Sequence, residues 1–151
     1  LPEERARLWK MRHGAYWAIV ASRPGCRAIV TDLCVPISRL AEAIAETRAD
    51  IAASGIPGPL VGHVGDGNVH AALLIDPDCP DERERAAALA ERMADRALAL
   101  GGTVTGEHGV GLGKLKHMEA EHGAAWATMG AIKAALDPAC LLNPGKLVPP
   151  R

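Results

Sequence analysis

Leu60-Val61-Gly62-His63-Val64-Gly65-Asp66-Gly67-Asn68-Val69-His70-Ala71-Ala72-Leu73-Leu74-Ile75 decides the fold, because two short apolar runs, Leu60 to Val64 and Val69 to Ile75, flank a strong turn signal. Asp-Gly supplies the positive φ angles that a tight hairpin connection needs. With Asp66 and Gly67 as the central pair, the predicted ladder sets Gly65 opposite Asn68, Val64 opposite Val69 and His63 opposite His70. Opposed residues project from one face with Cβ atoms about 5 Å apart, so two imidazoles placed there can converge on one cation. A lone strand histidine is usually just a satisfied polar residue. The opposed pair makes a half-built metal site a serious reading.

Outward from the hairpin, the elements follow from breakers and periodicity. Pro2, Glu3 and Glu4 open a helix predicted over Glu3 to Ser22, which Arg23-Pro24-Gly25 stops. The β-branched run Ile29, Val30, Thr31 predicts a strand from Arg27 to Val35. Pro36 and Ser38 then open a second helix lasting to about Ala53, closed by Ser54-Gly55-Ile56-Pro57-Gly58. Downstream, a third helix is expected over Asp81 to Leu100, with Ala88, Leu89, Met93, Ala97 and Leu100 on its buried side. Gly101-Gly102 breaks it, Thr103 to Thr105 reads as a short strand, and Gly106 to Gly113 as a glycine-rich loop. Helices over Lys116 to His122 and Ala124 to Leu136 lead to an irregular tail ending in Pro149-Pro150. This order predicts an α+β fold, an antiparallel sheet with helices packed on one face.

The 151 residues suit one domain that buries roughly two thirds of its unfolded surface. With 17 basic and 18 acidic side chains the net charge is -1, which offers no basic field for nucleic acid or an anionic membrane. No apolar run approaches the roughly 20 residues of a membrane span, and LPEERARLWK is charged where a signal peptide is apolar, so a soluble chain is expected. Cys26, Cys34, Cys79 and Cys140 are scattered without a CxxC pair, and are expected to be reduced structural thiols. The chain begins at Leu1 already in helical pattern, which predicts a fragment of a longer protein.

A third ligand should come from a loop returning to the histidine face. Thr105-Gly106-Glu107-His108-Gly109 is the best candidate, because glycines let backbone and ligand approach closely. Two histidines and a carboxylate leave coordination positions open, which suits a catalytic zinc, manganese or iron(II) ion better than a closed structural site. Gly109-Val110-Gly111-Leu112-Gly113-Lys114 is not a Walker loop, since no glycine stands five residues before Gly113 and Leu115 replaces the magnesium-binding Ser or Thr. The glycines also lack the spacing of a dinucleotide fingerprint. Solvent exposure is expected for His13, His117 and His122, a solvated first turn for Asp81 to Arg85, and core positions for Trp9, Trp17 and Trp126.

Four groups of residues carry a family resemblance: Gly62 to His70; Gly102-Thr103-Val104-Thr105-Gly106-Glu107-His108-Gly109-Val110-Gly111; Leu136-Asp137-Pro138; and Leu142-Asn143-Pro144-Gly145-Lys146. With Arg23-Pro24-Gly25-Cys26 and Thr31-Asp32-Leu33-Cys34-Val35-Pro36-Ile37-Ser38-Arg39-Leu40 upstream, the chain resembles the carboxyl-terminal region of FAD-linked D-lactate dehydrogenases, relatives of vanillyl-alcohol oxidase. The resemblance implies one carboxyl-terminal domain over 1–151, a ferredoxin-like cap over 1–135 and a flavin-facing tail over 136–151. The FAD-binding domain would precede it, outside this chain. It also leaves a stand-alone metal-binding or interaction domain as the alternative.

By resemblance, His63, His70 and Glu107 bind a divalent metal, zinc or manganese. His108 is then the base that takes the hydroxyl proton while hydride leaves the α-carbon for the flavin. Arg12, with Arg27 as a weaker second, is expected to hold the substrate carboxylate. Asn143 and Lys146 lie where relatives turn their tail toward the flavin. Ala72 stands where 2-hydroxyglutarate-type relatives tend to carry asparagine, which favours a small monocarboxylic D-2-hydroxyacid such as D-lactate. The implied acceptor is a cytochrome, a quinone or an electron-transfer flavoprotein. A homodimer stays open, and so does a cytoplasmic, inner-membrane-peripheral or mitochondrial location.

Overall fold

The computed structural model describes residues 1–148; Pro149, Pro150 and Arg151, the end of the expected tail, lie outside the described residues. Helix α1 (Pro2–Ala21) is followed by strands β1 (Arg27–Val30) and β2 (Leu33–Cys34) and a single 3-10 turn at Ile37–Arg39. Then come α2 (Leu40–Ser54), β3 (Leu60–His63), β4 (Asn68–Ile75) and α3 (Pro80–Ala99). A second 3-10 turn, Leu115–His117, leads into α4 (Met118–His122) and α5 (Ala124–Leu136). The fold is α+β, with five helices and a small antiparallel sheet of four strands among the described residues. No helix among the described residues is long and apolar enough to cross a membrane.

The eight residues of β4 form the axis of the sheet. Its whole length is buried, as expected of a strand with neighbours along both edges. One edge pairs with β3. The other pairs with β1 over Arg27–Val30 and with β2 over Leu33–Cys34. The single strand expected from Arg27 to Val35 is therefore interrupted at Thr31 and Asp32. The register is identical on both sides of the gap, which places Asp32 opposite His70. Thr103 joins by an isolated bridge to Cys34 rather than by the short strand expected over 103–105.

Alternation along β4 sorts its side chains. Val69, Ala71, Leu73 and Ile75 join Leu33, Val35, Leu40, Ala43, Ala86, Leu89, Met93 and Ala97 in the core between sheet and helices. Asn68, His70, Ala72 and Leu74 fall on the opposite face. Helix α3 turns Ala86, Leu89, Met93 and Ala97 inward; Ala86 takes the inward position expected for Ala88, which is exposed. Gly55, at φ 68°, ends α2 in the left-handed conformation that costs glycine little. Helices α2 and α3 are clamped by Arg96, which donates to Glu46, Thr47 and Asp50.

Helix α1 corrects the tryptophan expectation, since none of its residues is buried, and Trp9 and Trp17 are 49% and 71% exposed. Its apolar side chains do not gather on one stripe that a neighbour could cover. Trp126 is half-buried, with its indole N–H donating to the Leu147 carbonyl. His117, expected in solvent, is buried instead, 3.6 Å from Glu91. All four cysteines are free.

The junction of α1, β4 and α3 rests on Glu82. Its carboxylate accepts both guanidinium nitrogens of Arg23, at 2.7 and 2.9 Å, and the Asp76 N–H at 2.7 Å, while Arg23 also donates to the Leu74 carbonyl. The Arg23 hydrogen bond, and after it the Asp76 N–H, hold this carboxyl at about 2 against an ordinary 4.5. A carboxyl lowered on folding stabilises the fold fully above its unfolded pKa, and that contribution is lost as pH falls toward the folded value. Glu82→Gln is therefore expected to be less stable than the parent at neutral pH, with the difference shrinking between pH 4.5 and 2. Urea unfolding at stepped pH checks this; a difference constant over that window would refute it.

Candidate metal and substrate site

The hairpin forms with a register different from the expected one. His63 lies opposite Asn68, Gly62 opposite Val69 and Val61 opposite His70, leaving Val64 to Gly67 as the connection. The connection is closed by its own hydrogen bonds, the Asp66 N–H donating to the His63 carbonyl at 2.8 Å and the Gly67 N–H to the Val64 carbonyl at 3.4 Å, while the Gly67 carbonyl accepts the Val35 N–H across the other edge of β4. Gly67 sits at φ 75°, and a Cβ there would lie 2.1 Å from the Val35 carbonyl oxygen. A slip of one residue would have turned a histidine to the other face, whereas the actual slip of two preserves the face. His63 and His70 become diagonal neighbours, with ring centroids 6.0 Å apart at 88°.

His70 is held from behind. The Ala71 N–H donates to Thr31 Oγ1 instead of to the Thr31 carbonyl, which is thereby released to accept from His70 Nδ1 at 2.9 Å. With its proton engaged on Nδ1, the imidazole presents the lone pair of Nε2 outward. Glu107 Oε1 lies 2.8 Å from that nitrogen and 3.6 Å from His63 Nε2. One donor atom from each of His63, His70 and Glu107 falls within 4.8 Å of the others. His108 stacks on His70, centroids 5.0 Å apart at 10°.

The site is graded from dry to wet. The His70 side chain is 8% exposed, His63 35%, and Glu107 and His108 each 46%. Beneath them lies Asp32, whose carboxylate accepts the backbone N–H of Glu107 and of His108 and the ammonium of Lys114. Burial alone would raise the Asp32 pKa, but the His108 N–H, Lys114 and the Glu107 N–H outweigh it and hold the carboxyl below its usual range. Sequence reading missed Asp32 and Lys114. The usable signal was an aspartate in the middle of the Ile29 to Val35 strand pattern, where Asp is disfavoured.

The expected substrate arginines separate. The Arg12 guanidinium reaches the rim of the site, 3.0 Å from His63 Nδ1, with the Trp9 ring 5.4 Å away on its other side. Arg27 is not brought there: it pairs with Ile75 and shares that residue's helix-packed face, about 16 Å along β4 from His70. Asn143 and Lys146 touch each other and line a cavity of about 780 Å³, together with Gly109, Gly111, Ile132 and Leu136. Gly109 follows His108 directly in the chain, so the loop that carries Glu107 and His108 runs straight into this cavity.

The family described as "FAD linked oxidases, C-terminal domain" matches residues 2–147. The chain is 53% identical over 147 residues to the "Probable D-lactate dehydrogenase, mitochondrial" of Danio rerio, covering 97% of this chain and 30% of that protein. It is 46% identical over 150 residues to the "D-lactate dehydrogenase [cytochrome], mitochondrial" of Arabidopsis thaliana, covering 99% of this chain and 26% of the relative. It is 34% identical over 155 residues to "Glycolate oxidase subunit GlcD" of Escherichia coli K12, covering 97% of this chain and 29% of the relative. The chain thus spans less than a third of the length of these relatives.

The turn geometry is testable without knowing the ligand. A Cβ on Gly65 would meet nothing within 4 Å, whereas one on Gly67 would collide with the Val35 backbone at a positive φ. Gly65→Ala is expected to change stability by less than about 0.5 kcal/mol, and Gly67→Ala to cost more than about 1 kcal/mol, in denaturant unfolding. Equal effects would refute the register described above.

Proposed function

The chain belongs to the FAD-linked oxidases through their C-terminal domain, and on that premise we propose that it is the substrate- and metal-binding part of a flavin-dependent dehydrogenase acting on D-lactate or a similar D-2-hydroxyacid. The observation that carries the reading is the convergence of His63 Nε2, His70 Nε2 and Glu107 Oε1 on one point at the edge of the sheet. Two imidazole nitrogens and one carboxylate fit a zinc or manganese ion with positions left for substrate oxygens. When bound, the ion supplies Lewis acidity at the α-hydroxyl and the flavin supplies a hydride acceptor.

This chain's own residues do the rest. His108, half-exposed beside Glu107, takes the hydroxyl proton. Its stacking on His70 fixes the direction of that transfer. Arg12 binds the substrate carboxylate. A guanidinium has no acceptor atom, and Arg12 Nη2 lies 3.0 Å from His63 Nδ1 and 3.4 Å from Nε2, so the shorter contact calls for a lone pair on Nδ1. A metal held through His63 Nε2 would leave the ring proton on Nδ1 and so release Arg12 for the substrate. Ala72, small and on the His70 face, favours a monocarboxylic substrate.

The reading extends to the whole protein as proposals. Residues 1–135 form the cap and 136–151 the flavin-facing tail, with Asn143 and Lys146 toward the flavin. A cytochrome is the favoured electron acceptor and, in a eukaryote, the mitochondrion the favoured location, as the name of the Arabidopsis relative suggests.

Elemental analysis is expected to find one zinc or manganese per chain, lost in His63→Ala and in Glu107→Ala variants that stay folded by circular dichroism. In the intact flavoprotein, His108→Gln is expected to keep the metal and lower kcat for D-lactate by about 100- to 10,000-fold. Metal retained in both ligand variants, or full turnover without His108, would overturn the assignment.

A further inference from the structure

We propose that Asp32 is the positioning residue of this site, the buried anchor that fixes Glu107 and His108 in their working places; the proposal rests on the metal reading above. Asp32 lies in register opposite His70, and its side chain is 1% exposed. The segment from Thr105 to Gly113 is neither helix nor strand, so ladder or helix hydrogen bonds do not hold it. Its two functional residues are held at their backbones by one carboxylate. The Glu107 N–H lies 3.1 Å from both oxygens and the His108 N–H 2.8 Å from Oδ2. Both side chains are thereby aimed back across His70.

The same carboxylate could be mistaken for a ligand, since Asp32, His70 and His108 also offer donor atoms within 4.8 Å of one another. The hydrogen bonds decide against that. Oδ2 accepts Glu107, His108 and the Lys114 ammonium at 2.9 Å, Oδ1 shares the Glu107 N–H, and the His70 nitrogen nearest Asp32 is committed to the Thr31 carbonyl, so neither Oδ2 nor that nitrogen has a lone pair to offer. Lys114 also balances the buried charge and caps the Asp32 carbonyl. Gly106 completes the seat. A Cβ there would lie 2.8 Å from Asp32 Oδ1 and 2.9 Å from Asn68 Oδ1, so only glycine lets the loop settle between these two oxygens. The Asn68 oxygen is the one buried side-chain polar atom among the described residues with no hydrogen-bond partner. It faces the loop without holding it, which leaves Asp32 as the anchor.

An asparagine at 32 keeps the size of the group but presents an amide N–H2 where a second acceptor is needed, and leaves the Lys114 charge unpaired. The test therefore pairs Asp32→Asn with the double variant Asp32→Asn/Lys114→Met, which removes the stranded charge, in the protein that carries this chain. Two readouts are taken: hydrogen–deuterium exchange of the peptide spanning 105–112, and Mn²⁺ affinity by titration calorimetry. Ile56→Ala, a core truncation at the far end of the sheet, serves as the control for general destabilisation.

Both Asp32 variants are expected to exchange at Glu107 and His108 at least tenfold faster than the parent and to bind Mn²⁺ roughly 10- to 100-fold more weakly. Ile56→Ala should change neither. The double variant should regain thermal stability without regaining the loop or the ion. Unchanged exchange in the double variant would overturn the proposal, and so would Mn²⁺ affinity as in the parent, or a loss of Mn²⁺ with the loop still protected, which would make Asp32 a ligand. If the parent binds neither Mn²⁺ nor Zn²⁺, the metal reading fails by itself and exchange alone decides whether Asp32 holds the loop.

Discussion

The hydrogen bond from His70 to the Thr31 carbonyl is the interaction on which the site depends, because a central strand ordinarily spends all its backbone groups in the ladder. β4 has neighbours on both edges, so a carbonyl can be released to a side chain only if something replaces it. Thr31 Oγ1 supplies the replacement by accepting the Ala71 N–H. The exchange leaves no buried backbone group unmatched, and it fixes one imidazole with its lone pair outward. It also coincides with the gap between β1 and β2, where the chain turns Asp32 inward opposite His70. One local departure from regular pairing thus places both the buried imidazole of His70 and the charge beneath it.

Most of the fold was legible because its signals are local. Pro2, Gly55 and Gly101 mark element ends whatever the rest of the chain does, and the helices fall within a few residues of the breakers that predict them. The hairpin too was readable, but its register was not. Asp-Gly promises a two-residue turn, yet the connection takes four residues, Val64 to Gly67, with Gly67 also bonded through its carbonyl to Val35, over thirty residues away in sequence. The face of the histidines survived the error because side chains in a strand repeat every two residues and the shift was two.

What stayed hidden was long-range or collective. Asp32 meets its partners across separations of 75 to 82 residues, so composition and periodicity near it could give only the hint of a carboxylate in a strand. His117 looked like a surface histidine on a polar stretch, and its burial comes from the packing of α3 and the turn before α4. Trp9 and Trp17 failed in the opposite sense: large apolar side chains were assigned to the core by type, but α1 offers no continuous apolar stripe to bury. Arg27 was placed by resemblance alone, and strand parity sets it on the other face from His70.

Two carboxylates approach His70, and their environments assign them different work. Asp32 is nearly inaccessible, and its oxygens are engaged by two N–H groups and an ammonium, so a metal would have to break several hydrogen bonds to reach it. Glu107 is 46% exposed, and its oxygen lies 2.8 Å from His70 Nε2, whose lone pair faces it, and 3.6 Å from His63 Nε2. A carboxylate oxygen and an imidazole lone pair held that close repel each other until a proton or a metal cation lies between them. The buried carboxylate is suited to hold the backbone and the exposed one to coordinate. A chain that exchanged these two surroundings would have the same residues within the same distances and no site.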